Sequence, residues 1–481
     1  MSVNLAPIFR LIAATWLLVV VLLELNGCRS SGWENLADDV SYTGAASCQP
    51  CHADIYASYQ RTGMGRSWYR PNPQDVIEDF RPDISVYDSF SDFHYRPLWI
   101  GDSLYIDEFR LKGRDTAYRR RERIDYIVGS GHQTRSYVLE RNGFLYEAPI
   151  TWYVARKLWD LSPGYHDGHN SRFDRPLGTE CVHCHNAYTE PVSGTLNRYK
   201  KVPLGIDCER CHGPGSLHIE RMQRGEEVDV GKVPDYSIVN PAKLPIDRQF
   251  DVCQQCHLQG VNVARSQREF RPGLGLSDQR EVFLVPFPDT NSFGIASHAA
   301  RLRQSACFIG SNGKLTCTTC HDPHVPTREL PSDQHQRSCK SCHGLSHAVC
   351  SRAGSDRNDS SSNCISCHMP KGGTSDIPHV QFTDHYIRKR VTSTASKPVL
   401  QAAELGYVQL LCATSLAPEA HVLGKAWLAY YEQHDARRAY LERAAASLPD
   451  SCYDARSRVL FYQGKIKQAL PLALKAHQQE P

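Results

Sequence analysis

The sequence predicts a mainly α-helical chain with an irregular core, a small antiparallel β module inserted in its first half and helical hairpins at its C-terminal end. Three observations predict it. A pentapeptide, Cys-x-x-Cys-His, recurs seven times, six of them between Cys181 and His368. Residues 53–180 carry no copy and instead show strand-like runs around turn dipeptides. From Pro398 onward the composition turns Ala-, Leu- and Gln-rich with helical periodicity. With 481 residues, 41% hydrophobic and 22% charged, the chain is globular and long enough for two or three domains. Its 55 Lys and Arg against 52 Asp and Glu leave a net charge of +3. That balance supplies no field for a polyanion, so nucleic acid is not an expected partner.

At the amino terminus Arg10 precedes an apolar run, Leu11 to Leu23, that is too short for an ordinary membrane-spanning helix. A charge before it and small residues after it read as a secretory signal over residues 1–28. Its end, Leu25-Asn26-Gly27-Cys28, resembles the lipobox of bacterial lipoproteins. The expectation is a periplasmic or cell-envelope protein held to the membrane by lipid on Cys28; a cleaved signal without lipid and a retained anchor are the alternatives.

The seven copies are Cys48-Cys51-His52, Cys181-Cys184-His185, Cys208-Cys211-His212, Cys253-Cys256-His257, Cys317-Cys320-His321, Cys339-Cys342-His343 and Cys364-Cys367-His368. This is the attachment motif of c-type haem. Two thiols three positions apart on one turn reach the two vinyl groups of one porphyrin, and the next residue presents imidazole to the iron. Zinc ribbons also use paired cysteines, but they do not require His after every pair. With 22 histidines in the chain, seven of seven by chance is on the order of one in a billion. Seven covalently attached haem c groups are therefore expected, with His52, His185, His212, His257, His321, His343 and His368 as proximal ligands.

Sixth ligands must come from elsewhere. His218, His324 and His347 lie three to six residues past a proximal histidine, and His379 lies eleven past His368. A histidine that close lies on the proximal side of its own haem, so each is better placed for a neighbouring iron. Such an arrangement requires closely packed haems. His132 and His298 are further distal candidates; His166, His169, His335 and His385 are weaker ones, and His183 lies inside its own attachment loop. Met64 is the one plausible thioether ligand, and would raise the potential of the first haem; the alternative is a turn methionine between Gly63 and Gly65.

The expected order is a first haem segment at 45–80, a β-rich module at 81–160, a six-haem core at 161–387, a linker at 388–397 and a helical tail at 398–481. In the module, Asn142-Gly143 reads as a two-residue hairpin turn between Tyr137 and Tyr146. Trp99 to Ile106 reads as a second hairpin. Arg119, Arg120, Arg121 and Arg123 read as a solvated strand face or an anion dock. Motifs two to seven leave little room for an apolar core, so the porphyrins should form it, with arginines pairing their propionates. In the tail, Tyr462-Gln463-Gly464, Ala469, Ala476 and Pro481 match half of a tetratricopeptide repeat, and Tyr431 to Ala446 is a degenerate earlier copy; plain helical hairpins are the alternative. Such a short array is expected to dock on the core or on a partner protein. Of the spare cysteines, Cys412 with Cys452 is the favoured disulfide, and Cys307 and Cys350 are unassigned.

Ser47-Cys48-Gln49-Pro50-Cys51-His52, Cys211-His212-Gly213-Pro214-Gly215-Ser216-Leu217-His218 and Cys317-Thr318-Thr319-Cys320-His321-Asp322-Pro323-His324 carry a family resemblance. The segment Cys48 to His385 resembles multihaem c-type cytochromes related to the tetrahaem cytochrome of ammonia oxidisers and, more distantly, to hydroxylamine oxidoreductase and pentahaem nitrite reductase. It is also similar to bacterial cytochromes with a tetratricopeptide tail. The resemblance implies haem c cofactors and electron transfer. No Cys-x-x-Cys-Lys site is present, so a lysine-ligated catalytic haem is not implied.

Three readings follow, and the sequence leaves the choice between carrier and enzyme open. The leading one is an exported seven-haem cytochrome passing single electrons between redox partner proteins. A second is an oxidoreductase for a small nitrogen or sulfur species at a haem with a vacant sixth position, with the first haem and Arg61, Arg66, Tyr59 and His94 as the candidate pocket. A third is a scaffold whose tail recruits a partner.

Overall fold

The computed structural model describes residues 32–265, 270–284, 287, 289, 291–331, 333–343, 364–374, 376–389 and 407–479. The signal with Cys28, His347, Cys350 and residues 390–397 of the linker lie outside the described residues. Among the described residues no helix is long and apolar enough to cross a membrane.

The fold is not mainly α: about 31% is helix and 21% strand, with several antiparallel sheets. The helices that carry the attachment motifs are short, because the motif needs only one turn. Glu209–His212 and Cys364–His368 are four and five residues long, and Cys317–Thr319 is a single 3-10 turn.

The strands concentrate before the second motif. They are β1 (Trp68–Tyr69), β2 (Val86–Asp88), β3 (Phe93–Ile100), β4 (Ser103–Lys112), β5 (Asp115–Arg123), β6 (Tyr126–Val128), β7 (Thr134–Arg141), β8 (Phe144–Glu147), β9 (Ile150–Tyr153), β10 (Leu158–Leu161) and β11 (Arg175–Pro176). A four-stranded meander runs β2-β3-β4-β5, and a seven-stranded sheet runs β1-β6-β7-β8-β11 with β9 and β10 joined through β7. Between β7 and β8, Arg141 pairs with Phe144 across Asn142 and Gly143, whose φ angles are 55° and 82°. Two positive φ values in a two-residue loop match the twist of the flanking strands, and glycine takes the second at no steric cost.

Alternation along β7 divides the packing. Tyr137 and Leu139 join Tyr95, Ile106, Ile150 and Trp152 in the main core. Val138 faces the other way, with Trp68, Tyr126, Leu145 and Val182. Val182 lies inside the second attachment motif, so the sheet seats that motif directly. On β5 the arginines are matched by carboxylates: Arg119 and Arg121 by Asp107, Arg120 by Glu122 and Arg123 by Asp125. Charge on this outer strand guards an open sheet edge.

After the module, short sheets alternate with motif helices. The strands Val261–Ala264 and Arg280–Leu284 pair antiparallel, and Leu411–Cys412 joins the second of them. Ala420–Gln433 packs against this sheet, Arg438–Ser447 and Tyr453–Tyr462 complete the same core, and Ile466–Gln479 packs on Tyr453–Tyr462. Val261, Val263 and Phe283 share one core with Val422, Trp427, Tyr440 and Val459. Gly424 lets Leu448 close on the first tail helix; a Cβ there would lie 2.8 Å from Leu448 Cγ.

The expected Cys412–Cys452 bridge is not formed, and both thiols are free. Cys412 turns to the sheet, where its thiol donates to Glu281 Oε2 at 2.9 Å. Cys452 sits at the N-cap position of the helix Tyr453–Tyr462, without a side-chain capping bond.

Candidate haem centres

Each described motif is built on a tight turn. At Cys48, Cys208, Cys253 and Cys317 the motif histidine N–H bonds back to the carbonyl of the first cysteine at 2.9 to 3.0 Å. One such turn puts both thiols and the imidazole on adjoining faces, as thioether attachment requires. The other three motifs end the helices Thr179–His185, Gln334–His343 and Cys364–His368.

Thiols of different motifs meet. Cys48 lies against Cys208, Cys184 against Cys256 and Cys253 against Cys317. Cys211 also lies within electrostatic range of Cys256, Cys320 of Cys342 and Cys339 of Cys364. The seven motifs thus form one contiguous series, in spatial order one, three, four, five, six, seven, with the second joined at the fourth.

Imidazoles meet in the same way. His52 faces His218 with ring centroids 6.4 Å apart and planes 18° apart, and His212 faces His324 at 6.0 Å and 13°. His321 faces His385 at 6.2 Å and 30°, and His257 lies 5.5 Å from His298. Two imidazoles on opposite faces of one metal, each bound at about 2 Å, place their centroids roughly 6 Å apart. The residues present therefore fit haem iron held between paired histidines.

The outward nitrogens support this. The Nδ1 atoms of His212, His368, His335 and His385 lie 2.8 to 3.0 Å from the carbonyls of Val239, Arg388, Cys320 and Thr383. His218 Nδ1 lies 3.0 Å from Asp235 Oδ2. A hydrogen bond at Nδ1 fixes the tautomer and leaves Nε2 for a metal. Burial lowers His185 to about 4, and burial with His385, His257 and His321 lowers His298 to about 3. Both are neutral at pH 7, the form that binds iron.

Other candidates are engaged differently. His379 gives Nε2 to Asp160 Oδ2 at 2.7 Å and packs on Tyr153, which ties it to the β module. His183 Nε2 lies 3.2 Å from Arg210 Nη2. Met64 lies in the turn after the first helix, its carbonyl accepting from Ile206 N and Ser67 Oγ. His132 is half-buried beside Gly63, and burial, with Arg328 and Arg66, lowers its pKa. His343 is exposed at the end of its helix. Of the first-haem pocket candidates, Arg61 pairs with Glu329, Arg66 with Asp75 and His94 stacks on Phe109 in the sheet, whereas Tyr59 is buried within electrostatic range of the Cys208 and Cys211 thiols.

His335 and His385, ranked low by sequence, join the imidazole cluster around His321. No spacing marks them. Asp384, buried and paired with Arg301 at 2.5 Å, anchors the residue beside His385, a contact across 83 positions that sequence does not display.

Comparison with known proteins finds haem-bearing relatives of cytochrome type. The family model for cytochrome c554 and c-prime matches residues 167–213. The chain is similar to multihaem c-type cytochromes. The multiheme cytochrome MtrA of Shewanella baltica (strain OS185) is 24% identical over 224 residues, covering 44% of this chain. The chain spans 58% of that relative's length. The crystal structure of outer cell wall cytochrome OcwA aligns over 92% of this chain and 100% of its own, at 15% identity and a TM-score of 0.44. Haem c is the cofactor that these cytochrome similarities support.

Proposed function

We propose that the protein is an exported cytochrome that carries seven haem c groups and passes single electrons along them between redox partner proteins. The observation that carries this reading is the pairing of imidazoles across motifs: His218 follows motif three yet faces His52 of motif one, and His324 follows motif five yet faces His212 of motif three. A ligand shared in this way draws neighbouring irons together, which is what electron hopping needs. The haem supplies the redox chemistry when bound. The chain fixes imidazole tautomers through Val239, Thr383, Arg388 and Asp235 and keeps buried imidazoles neutral.

Within this reading the proximal ligands are the seven motif histidines. The distal ligands are His218 for His52, His324 for His212, His298 for His257 and His385 for His321. Lipid on Cys28 anchors the chain to the membrane, and the tail, a tetratricopeptide-like pair of hairpins, braces the sheet at Val261–Ala264. The pairing of His52 with His218 favours the carrier over an enzyme whose first haem is open. Intact-mass analysis of the matured protein tests the count, with seven haem additions expected. Stopped-flow reduction by a one-electron donor tests the role, with every haem reduced and none requiring a small substrate. Fewer additions, or a fraction of haem reducible only with substrate present, contradicts the reading.

A further inference from the structure

Two attachment sites meet beneath positive charge. The Cys184 and Cys256 thiols lie against each other, so the second and fourth motifs share an edge. Arg210 and Arg280 both lie within electrostatic range of that contact.

Arg280 opens the strand Arg280–Leu284, and its Nη2 donates to the carbonyl of Gln255, the residue before Cys256. Its Nε is shut from solvent without a hydrogen-bond partner. The Gln255 side chain in turn donates to the Arg210 carbonyl at 2.7 Å, which links the Arg280 guanidinium to the Arg210 backbone through one residue. Arg210 is 1% exposed, with Nη2 2.6 Å from the His183 carbonyl and its guanidinium 4.5 Å from the centre of the Tyr188 ring.

No carboxylate bonds Arg280 among the described residues. Adjacent Glu281 points to the other face of the strand, where Arg265 holds it at 2.8 Å and the Cys412 thiol donates to it. Asp207 spends an oxygen on the Arg210 backbone amide, and Glu209 accepts from the amides of Thr43, Gly44 and Gly215. Burial, with Arg210 nearby, accordingly lowers the Arg280 pKa from its ordinary value. The nearby thiols that favour its charge carry none once they are thioethers.

We infer that Arg280 is a potential-setting residue for the haems on Cys181–Cys184 and Cys253–Cys256, its enclosed charge favouring the reduced state of both. Reduction places one more electron beside the guanidinium, and a poorly screened cation stabilises the added charge. Because the second motif joins the series at the fourth, this pair is where electrons entering from either end of the series collect. The inference rests on the haem reading given above.

The test is a potentiometric titration of the full, haem-loaded protein followed by haem absorbance. Arg280→Gln is expected to lower two transitions, so that at a fixed potential the reduced-to-oxidised ratio of those haems falls about tenfold, equivalent to about 59 mV for a one-electron step. Arg280→Lys keeps the charge and is expected to titrate like wild type. An unmoved Arg280→Gln curve, or an Arg280→Lys curve displaced as far as that of Gln, overturns the inference. If Arg280→Gln loads haem poorly, Arg210→Gln carries the test: lowering of the same two transitions supports the inference, and an unchanged curve overturns it. A wild-type chain without covalent haem contradicts the haem reading itself, whereas loaded protein with unmoved potentials contradicts only the role of Arg280.

Discussion

The β-rich region from Trp68 to Pro176 and the attachment region from Thr179 to Lys389 obtain their order from different sources. In the first, Tyr95, Leu104, Ile106, Tyr137, Leu139, Ile150 and Trp152 bury one another in a continuous apolar core. In the second, apolar clusters are small, as with Phe250, Ala299 and Leu302, except where Val261, Val263 and Phe283 join the core of the tail helices. Imidazoles and thiols from different motifs fill the space between them. A core of side chains folds by itself, whereas a core that awaits porphyrin folds fully only when porphyrin arrives. The two regions should therefore respond differently to the loss of haem and to the loss of a single side chain.

The largest effect is expected from blocking attachment. Cys208→Ser with Cys211→Ser removes the site that touches both the first and fourth motifs. In limited proteolysis of the full chain, cleavage should spread through residues 179–389 while residues 68–176 stay protected. Equal protection of both regions breaks the comparison. The converse variant is Tyr137→Ala, in the β core. Deleting a fully buried aromatic costs about 3 to 5 kcal/mol, so a denaturant melt of the β region should show a loss of that order while the haem spectrum below the transition is unchanged. Tyr137 also donates to Glu78 at 2.7 Å, and losing that bond adds to the cost.

A smaller effect concerns pH. Burial, reinforced by Glu209, raises Asp207 to about 6 from an unfolded value near 3.8. The folded chain thus keeps a proton that the unfolded chain has lost between those pH values, so stability falls as pH rises from about 4 to about 6. Asp207→Asn should flatten that slope in melts taken across the window, and an unchanged slope removes Asp207 as its source. The smallest effect is expected at the sheet edge. Arg119 is a half-exposed partner of Asp107, which keeps Arg121; Arg119→Ala should cost about 0 to 1 kcal/mol.

Much of the chemistry was legible in the sequence, since each attachment motif is contiguous and its function lies in local spacing. Similarity to multihaem c-type cytochromes follows from those residues. The fold class was not. Reading each motif as a helix overstated the helical share, because a single turn satisfies the motif, as at Cys317–Thr319, even though Gln334–His343 runs to ten residues. The short strands escaped notice for the opposite reason. Phe283 pairs with Cys412 across the chain, and neither two-residue Leu411–Cys412 nor Glu190–Pro191 carries enough alternation to announce a strand. The histidines that meet motif imidazoles divide along the same line. His218 and His324 adjoin motifs and were visible, whereas His385 and His335 depend on tertiary contacts. The expected Cys412–Cys452 bridge assumed that two cysteines of one helical region face each other. Cys412 is on a strand and gives its thiol to Glu281.

The central claim is that irons in this chain are held between paired histidines contributed by different motifs. The most direct measurement is an electron paramagnetic resonance spectrum of the oxidised, haem-loaded protein with and without cyanide, repeated for His218→Ala. The account predicts a low-spin spectrum for the His52 iron that cyanide leaves unchanged in the wild type, and one new cyanide-sensitive high-spin centre in the variant. A His218→Ala spectrum identical to that of the wild type would contradict it.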